Sequence, residues 1–76
     1  RVTPEAQAFF QSRCAACHGG EGQGGVGPAL TGVDARGDAF IATMIRDGSP
    51  NKGMPAFGAQ LSPEELANLV AYVKSL

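Results

Sequence analysis

Cys14-Ala15-Ala16-Cys17-His18 places two thiols three positions apart, with an imidazole directly after the second. That is the pattern needed to hold a c-type haem covalently. On a helical turn, residues at i and i+3 lie on one face. Both sulfurs can therefore reach the neighbouring vinyl groups of one porphyrin edge and bond to them as thioethers. His18, at i+4 from Cys14, points from the same turn toward the ring centre and can give the iron one axial nitrogen. It is the only histidine in the chain.

Three plainer readings of the two cysteines are weaker. A structural zinc site closes with four ligands, and after Cys14, Cys17 and His18 the chain has no further Cys or His. A thioredoxin-like dithiol sits in a βαβ setting, and no strand pattern flanks these cysteines. A Cys14–Cys17 disulfide would close too small a loop to restrain much of the chain.

Length and composition agree with a bound group. Seventy-six residues make a single domain, 1–76, near the size at which a hydrophobic core alone gives little net stability. With eleven glycines and no tryptophan, much of the core volume must come from something other than large side chains, and a buried haem would supply it. Six basic and seven acidic residues nearly cancel. No run of one sign suggests nucleic acid or an anionic membrane surface. No apolar stretch approaches the roughly twenty residues of a membrane span. No signal peptide is recognised, as expected of a mature or excised domain.

Thr3-Pro4-Glu5 opens the first helix, with a capping residue, proline at the first helical position and an acid in the first turn. Ala6, Phe9, Phe10, Cys14 and Cys17 recur at steps of three and four, which predicts one helical stripe running into the motif and ending at Gly19-Gly20. The two phenylalanines are read as core. Residues 21–33 form a glycine-dense loop without the Lys-Ser/Thr ending of a phosphate loop. Its glycines are expected to let backbone run close to a flat ligand. Gly27-Pro28-Ala29-Leu30 stands where it can fold back beside His18. A ligating histidine donates its other ring N–H to an acceptor, and the Pro28 carbonyl is the candidate. Leu30 is expected to pack against the ring.

A second helix is predicted from Asp38 as cap, with Phe40, Ile41, Met44 and Ile45 on its apolar stripe and Gly48 past its end. The loop after it carries Gly53-Met54-Pro55-Ala56-Phe57-Gly58. Met44 sits at core spacing, where methionine usually fills space. Met54 is bracketed by glycine and proline in a constrained loop, and is the choice for the second axial ligand. Ser62-Pro63-Glu64-Glu65 is a capping box that starts the last helix. Leu66, Leu69, Val70, Val73 and Leu76 form its buried stripe, Tyr72 lies on the shoulder, and only the first helix is expected to offer a large enough partner face. No alternation of period two argues for a sheet.

In this order, the Cys14–His18 motif, Gly27-Pro28-Ala29-Leu30, Gly53-Met54-Pro55 and the terminal helix ending Leu69-Val70-Ala71-Tyr72-Val73 resemble a small bacterial class I cytochrome c over essentially the whole chain. The resemblance implies an all-α fold, with three main helices and long loops wrapped around one covalently bound haem c. It implies crossing first and last helices, here Ala6 and Phe10 against Leu69 and Tyr72, and iron ligated by His18 and Met54. In some members an arginine after the Gly-Pro segment neutralises a haem propionate; Arg36 stands at a comparable separation, though Asp34-Ala35 departs from the usual pattern. The tryptophan that serves a propionate in larger members is absent.

The implied activity is one-electron transfer between redox partner proteins in a respiratory or photosynthetic chain, without substrate chemistry. Two alternatives are an electron-entry domain of a larger oxidase, dehydrogenase or reductase, and a haem enzyme or sensor with a displaceable Met54. The family's haem attachment takes place outside the cytoplasm, which implies a periplasmic or extracytoplasmic location. Partners are expected to dock on apolar, mostly small residues around the exposed haem edge, Ala15, Ala16, Pro55, Ala56 and Phe57, with Arg13 and Lys52 adding modest steering.

Overall fold

Thr3 accepts a hydrogen bond from the Ala6 N–H on its side-chain oxygen at 3.1 Å and starts helix α1, Pro4–Arg13. The computed structural model describes residues 1–76. It contains no strand; three further helices follow, α2 (Ala15–His18), α3 (Asp38–Asp47) and α4 (Pro63–Lys74). Short 3-10 turns at Val33–Arg36, Pro50–Lys52 and Gly58–Gln60 punctuate the loops between them. The all-α reading with three main helices holds, since α2 is a single turn.

Two helix starts show how local chemistry sets the boundaries. Ser62 accepts from the Glu65 N–H at 3.1 Å while the Glu65 carboxylate accepts from the Ser62 N–H at 2.8 Å, the reciprocal box expected from the sequence. At α3 the expected cap is displaced by one residue. Gly37 occupies the cap position with φ of 91°, and Asp38 is the first helical residue and caps nothing. Its carboxylate accepts instead from the Lys74 ammonium at 2.6 Å, tying the start of α3 to the end of α4.

The helix expected to run unbroken into the motif is interrupted at Cys14, whose φ of −109° takes it off ideal helical geometry. The Cys14 N–H still bonds to the Phe10 carbonyl at 2.8 Å, and the Cys14 carbonyl then starts the next turn by accepting from His18 N–H at 3.0 Å. The motif therefore has its own turn, free of the register of α1.

Helix α4 buries Leu69, Val70, Tyr72 and Val73. These pack against Ala6 and Phe10 of α1, as the resemblance implied, with the Phe10 and Tyr72 rings 5.3 Å apart and tilted by 55°. Tyr72 is thus in the core rather than on the shoulder. The same cluster includes Ile41 and Ile45, so α4 is covered by α3 as well as by α1. Its stripe is wide enough to face two helices, which the narrower expectation of a single partner missed. Phe57 is also buried, its ring meeting Phe9 edge to face at 5.5 Å, and its N–H bonds to the Ile45 carbonyl at 3.0 Å.

This core contains nine buried apolar residues, and only Phe10 and Leu69 among them are large and fully enclosed. A cluster of that size leaves little net stability once chain ordering is counted. We therefore expect a Cys14→Ala/Cys17→Ala protein prepared without haem to be largely unfolded by far-ultraviolet circular dichroism. Native helix content with a cooperative thermal transition would show that the side-chain core suffices alone.

Candidate haem site

The turn Cys14–His18 and the loop after it are stitched together through the backbone. Gly24 N–H bonds to the His18 carbonyl and Gly27 N–H to the Cys17 carbonyl, both at 2.7 Å. The loop returns with Leu30 N–H on the Gly22 carbonyl at 2.7 Å. This brings the Pro28 carbonyl oxygen to 2.8 Å from His18 Nδ1. A carbonyl can only accept, so Nδ1 carries the proton and Nε2 keeps its lone pair free for a metal. Gly27 suits the same approach: a Cβ there would crowd the ring, 3.0 Å from His18 Cε1 and 3.2 Å from Nδ1. Gly27 therefore lies against the histidine ring and also lines the cavity beside it.

Met54 comes from a separate segment. Helix α3 ends at Gly48 with φ of 67°, and a Cβ at this position would meet the Pro55 carbonyl at 2.6 Å and the Met54 carbonyl oxygen at 2.7 Å. Only glycine allows the chain to double back so tightly. The return is closed by two hydrogen bonds, Ser49 N–H to Met54 carbonyl at 2.9 Å and Met54 N–H to Ser49 carbonyl at 3.1 Å. The bracketing glycine and proline of the sequence therefore correspond to a pinned backbone.

Cys14, Cys17, His18 and Met54 all line one cavity of about 690 Å³, within the usual range of roughly 300–1,000 Å³ for cofactor sites. Phe10, Ile41, Ile45 and Val73 of the core reach its wall. Leu30 is half-buried and lines it too. No disulfide joins the two cysteines, which leaves both sulfurs available to a bound group. Burial pushes the Cys14 thiol up to about 11, against the opposing pull of the Arg13 charge, and the nearby Cys17 raises it further. A reactive redox dithiol needs the opposite shift. A neutral thiol beside a large apolar cavity suits a haem-bearing site, and the donor set of two thiols, a pre-oriented imidazole and a thioether matches that group.

Arg36 is exposed, but its guanidinium lies 4.0 Å over the Phe40 ring and forms part of the cavity wall. Three further wall residues were not singled out from the sequence as part of a site. Met44, read as core filler, is half-buried and faces the cavity. Its spacing gave no warning, because Phe40 and Met44 share a stripe next to the buried Ile41 and Ile45. Lys52 was placed only near the haem edge. Val26 is 92% exposed and borders the same cavity; a bulky apolar residue between Gly25 and Gly27 was the available signal. Phe57 leaves the expected docking edge, since it is buried against Phe9, whereas Ala16, Pro55 and Ala56 are exposed.

Residues 2–73 match the family described as cytochrome c oxidase, cbb3-type, subunit III. The chain is 38% identical over 71 residues to a cytochrome c-553-like protein of Synechocystis sp., covering 92% of this chain and 65% of that protein. Among solved structures, the c-type cytochrome NirC superposes with a TM-score of 0.79 at 29% identity, covering 93% of this chain and 86% of that one. Dihydro-heme d1 dehydrogenase NirN in complex with DHE gives 0.80 at 34% identity, covering 91% of this chain but 15% of that one. The chain spans 52% to 65% of the length of the curated relatives it matches. The order of motifs, the class I cytochrome c fold and the family match agree: the chain belongs to the cbb3-type subunit III family of c-type cytochromes, and its cofactor is haem c attached through Cys14 and Cys17.

Proposed function

We propose that this protein is a one-electron carrier whose haem iron is ligated by His18 Nε2 and Met54 sulfur. The observation that carries this reading is the convergence on one cavity of two separately pinned donors: His18, oriented by the Pro28 carbonyl, and Met54, fixed by its double hydrogen bond to Ser49. Bound there, haem supplies an iron centre that exchanges one electron. Donors held in this way would keep their positions in both oxidation states, so little reorganisation would accompany transfer. The soft thioether favours ferrous iron, and the apolar wall disfavours the more cationic ferric form. Both effects raise the potential. If His18 and Met54 both hold the iron, the chain would leave no place there for a substrate, which supports a carrier over an enzyme.

A second reading has its own support. The fold of this chain matches 15% of the much longer NirN dehydrogenase. An electron-entry domain of a larger enzyme would use the same residues in the same way. In either case we place the protein at the periplasmic or extracytoplasmic side, because haem attachment to such motifs takes place outside the cytoplasm. No helix of the chain is long and apolar enough to cross a membrane.

Redox partner proteins dock, in this reading, on Val26 of the cavity wall and on the exposed Ala16, Pro55 and Ala56, which neighbour the wall residues Cys17 and Met54 in the chain. Arg13 is exposed and held by Gln60 and over the Phe9 ring, so its charge is available for modest steering. Transient redox complexes bury small areas, and small apolar side chains allow close approach.

Two expectations follow from the ligand assignment and the docking surface. Met54→Ala should abolish the sulfur-to-ferric-iron band in the red and lower the potential. Met44→Ala should keep the band and cost about 2 kcal/mol of stability or less, at the low end for truncating a methionine. The reverse pair of phenotypes would mean that Met44 is the ligand. For docking, stopped-flow reduction by the native partner should slow only slightly as salt is raised, although exposed charges are screened within about 10 Å at 0.1 M. A steep decline, with Ala56→Lys harmless, would mean that charge governs the encounter.

A further inference from the structure

Between residues 11 and 40 a single residue is buried, and it is a glycine of the loop after the motif, Gly22. Two leucines close over it. A Cβ on Gly22 would lie 2.9 Å from Leu76 Cδ1, 3.3 Å from Leu30 Cβ and 3.4 Å from Leu76 Cβ, and its φ of 73° falls in the left-handed region that favours glycine. Leu76 follows helix α4 and is half-buried. It continues the stripe of Leu69, Val70 and Val73, and reaches past the first helix to this loop.

Gly22 anchors the limb that carries the Pro28 carbonyl. The loop leaves the motif with Gly22 N–H on the Gly19 carbonyl at 3.0 Å and returns with Leu30 N–H on the Gly22 carbonyl at 2.7 Å. Pro28 itself is exposed, as are Val26 and Ala29 near it. Burial on this limb is therefore concentrated at Gly22 and Leu30. The position of Leu76 above them is set by the core. Ser75 N–H and the Ser75 hydroxyl both bond to the Tyr72 carbonyl, at 3.0 and 2.6 Å, and Leu76 N–H bonds to the Val73 carbonyl at 3.2 Å. Tyr72 and Val73 are buried. Leu76 does not line the haem cavity, so any influence it has on the iron passes through the loop.

We propose that Leu76 is a positioning residue for His18: by covering Gly22 it keeps the Leu30–Gly22 bond closed and so holds the Pro28 carbonyl on the Nδ1–H. The inference rests on His18 ligating the haem iron, as proposed above. An imidazole whose Nδ1–H is engaged by a carbonyl is the more basic ligand, and a more basic ligand favours ferric iron. Trimming Leu76 frees the limb, weakens the orienting bond and raises the potential.

The test uses haem-loaded protein: wild type, Leu76→Ala, Leu76→Val, Leu76→Met as the variant of similar volume, and Leu66→Ala, which trims a half-buried leucine near the start of the same helix. Amide hydrogen exchange at Leu30, the His18 ring N–H resonance in the ferrous state and the midpoint potential are measured. Leu76→Ala should quicken exchange at Leu30 about tenfold or more, shift the ring N–H and raise the potential, with the red sulfur–iron band unchanged. Leu76→Val should produce the same changes to a smaller extent, and Leu76→Met should keep the wild-type values. Leu66→Ala should lower the Tm and alter none of the three. Unchanged exchange at Leu30 or an unmoved potential in both Leu76→Ala and Leu76→Val, or the same changes in Leu66→Ala, would overturn the proposal and leave Leu76 a packing residue only. Failure of the underlying ligand reading would appear separately, in the wild type, as His18 ring protons that the haem ring current does not shift upfield.

Discussion

The hydrogen bond between His18 Nδ1–H and the Pro28 carbonyl, 2.8 Å long, is the contact on which the site depends. It fixes the tautomer and holds the ring, and it exists only because the loop after the motif is drawn back by bonds to the His18 and Cys17 carbonyls. A Cβ at position 27 would crowd the imidazole at 3.0 Å from Cε1, so glycine suits this approach. A single orienting bond thus accounts for the glycine, for the proline after it and for the length of loop between motif and return. The second donor is built by the same logic on the far side of α3, where Gly48 permits a reversal that the Ser49–Met54 bonds close.

Around these two fixed donors the protein spends few residues on a conventional core. Phe10 and Leu69 form its centre, with Tyr72, Val70 and Val73 from α4 and Ile41 and Ile45 from α3. Several of these side chains also face the cavity, so a haem held there would continue the core rather than lie beside it. This is one solution to the shortage of buried area in a chain of this length. It makes folding and cofactor retention aspects of the same energetics.

Much of this was legible in the sequence because it is written in local signals. The capping box at Ser62 and the proline-initiated helix at Pro4 depend on neighbouring residues alone, as does the Cys14–His18 spacing. The Pro28 acceptor was legible from chemistry, since a ligating imidazole needs a partner and the Gly-Pro segment was near. What escaped depended on tertiary placement. Asp38 lost its capping role to Gly37 and found Lys74, which is 36 residues away. Phe57, in a loop that reads as exposed, is covered by Phe9. Met44 and Met54 differ in local context but share one cavity, which no periodicity discloses.

The central claim is that His18 and Met54 together hold the iron and keep their positions through the redox cycle. Iron-edge X-ray absorption on the haem-loaded protein in both oxidation states addresses it directly. The account requires five nitrogen ligands and one sulfur in each state, with bond lengths nearly unchanged between them. A shell of light atoms alone, or a sulfur present in one state and absent in the other, would contradict it.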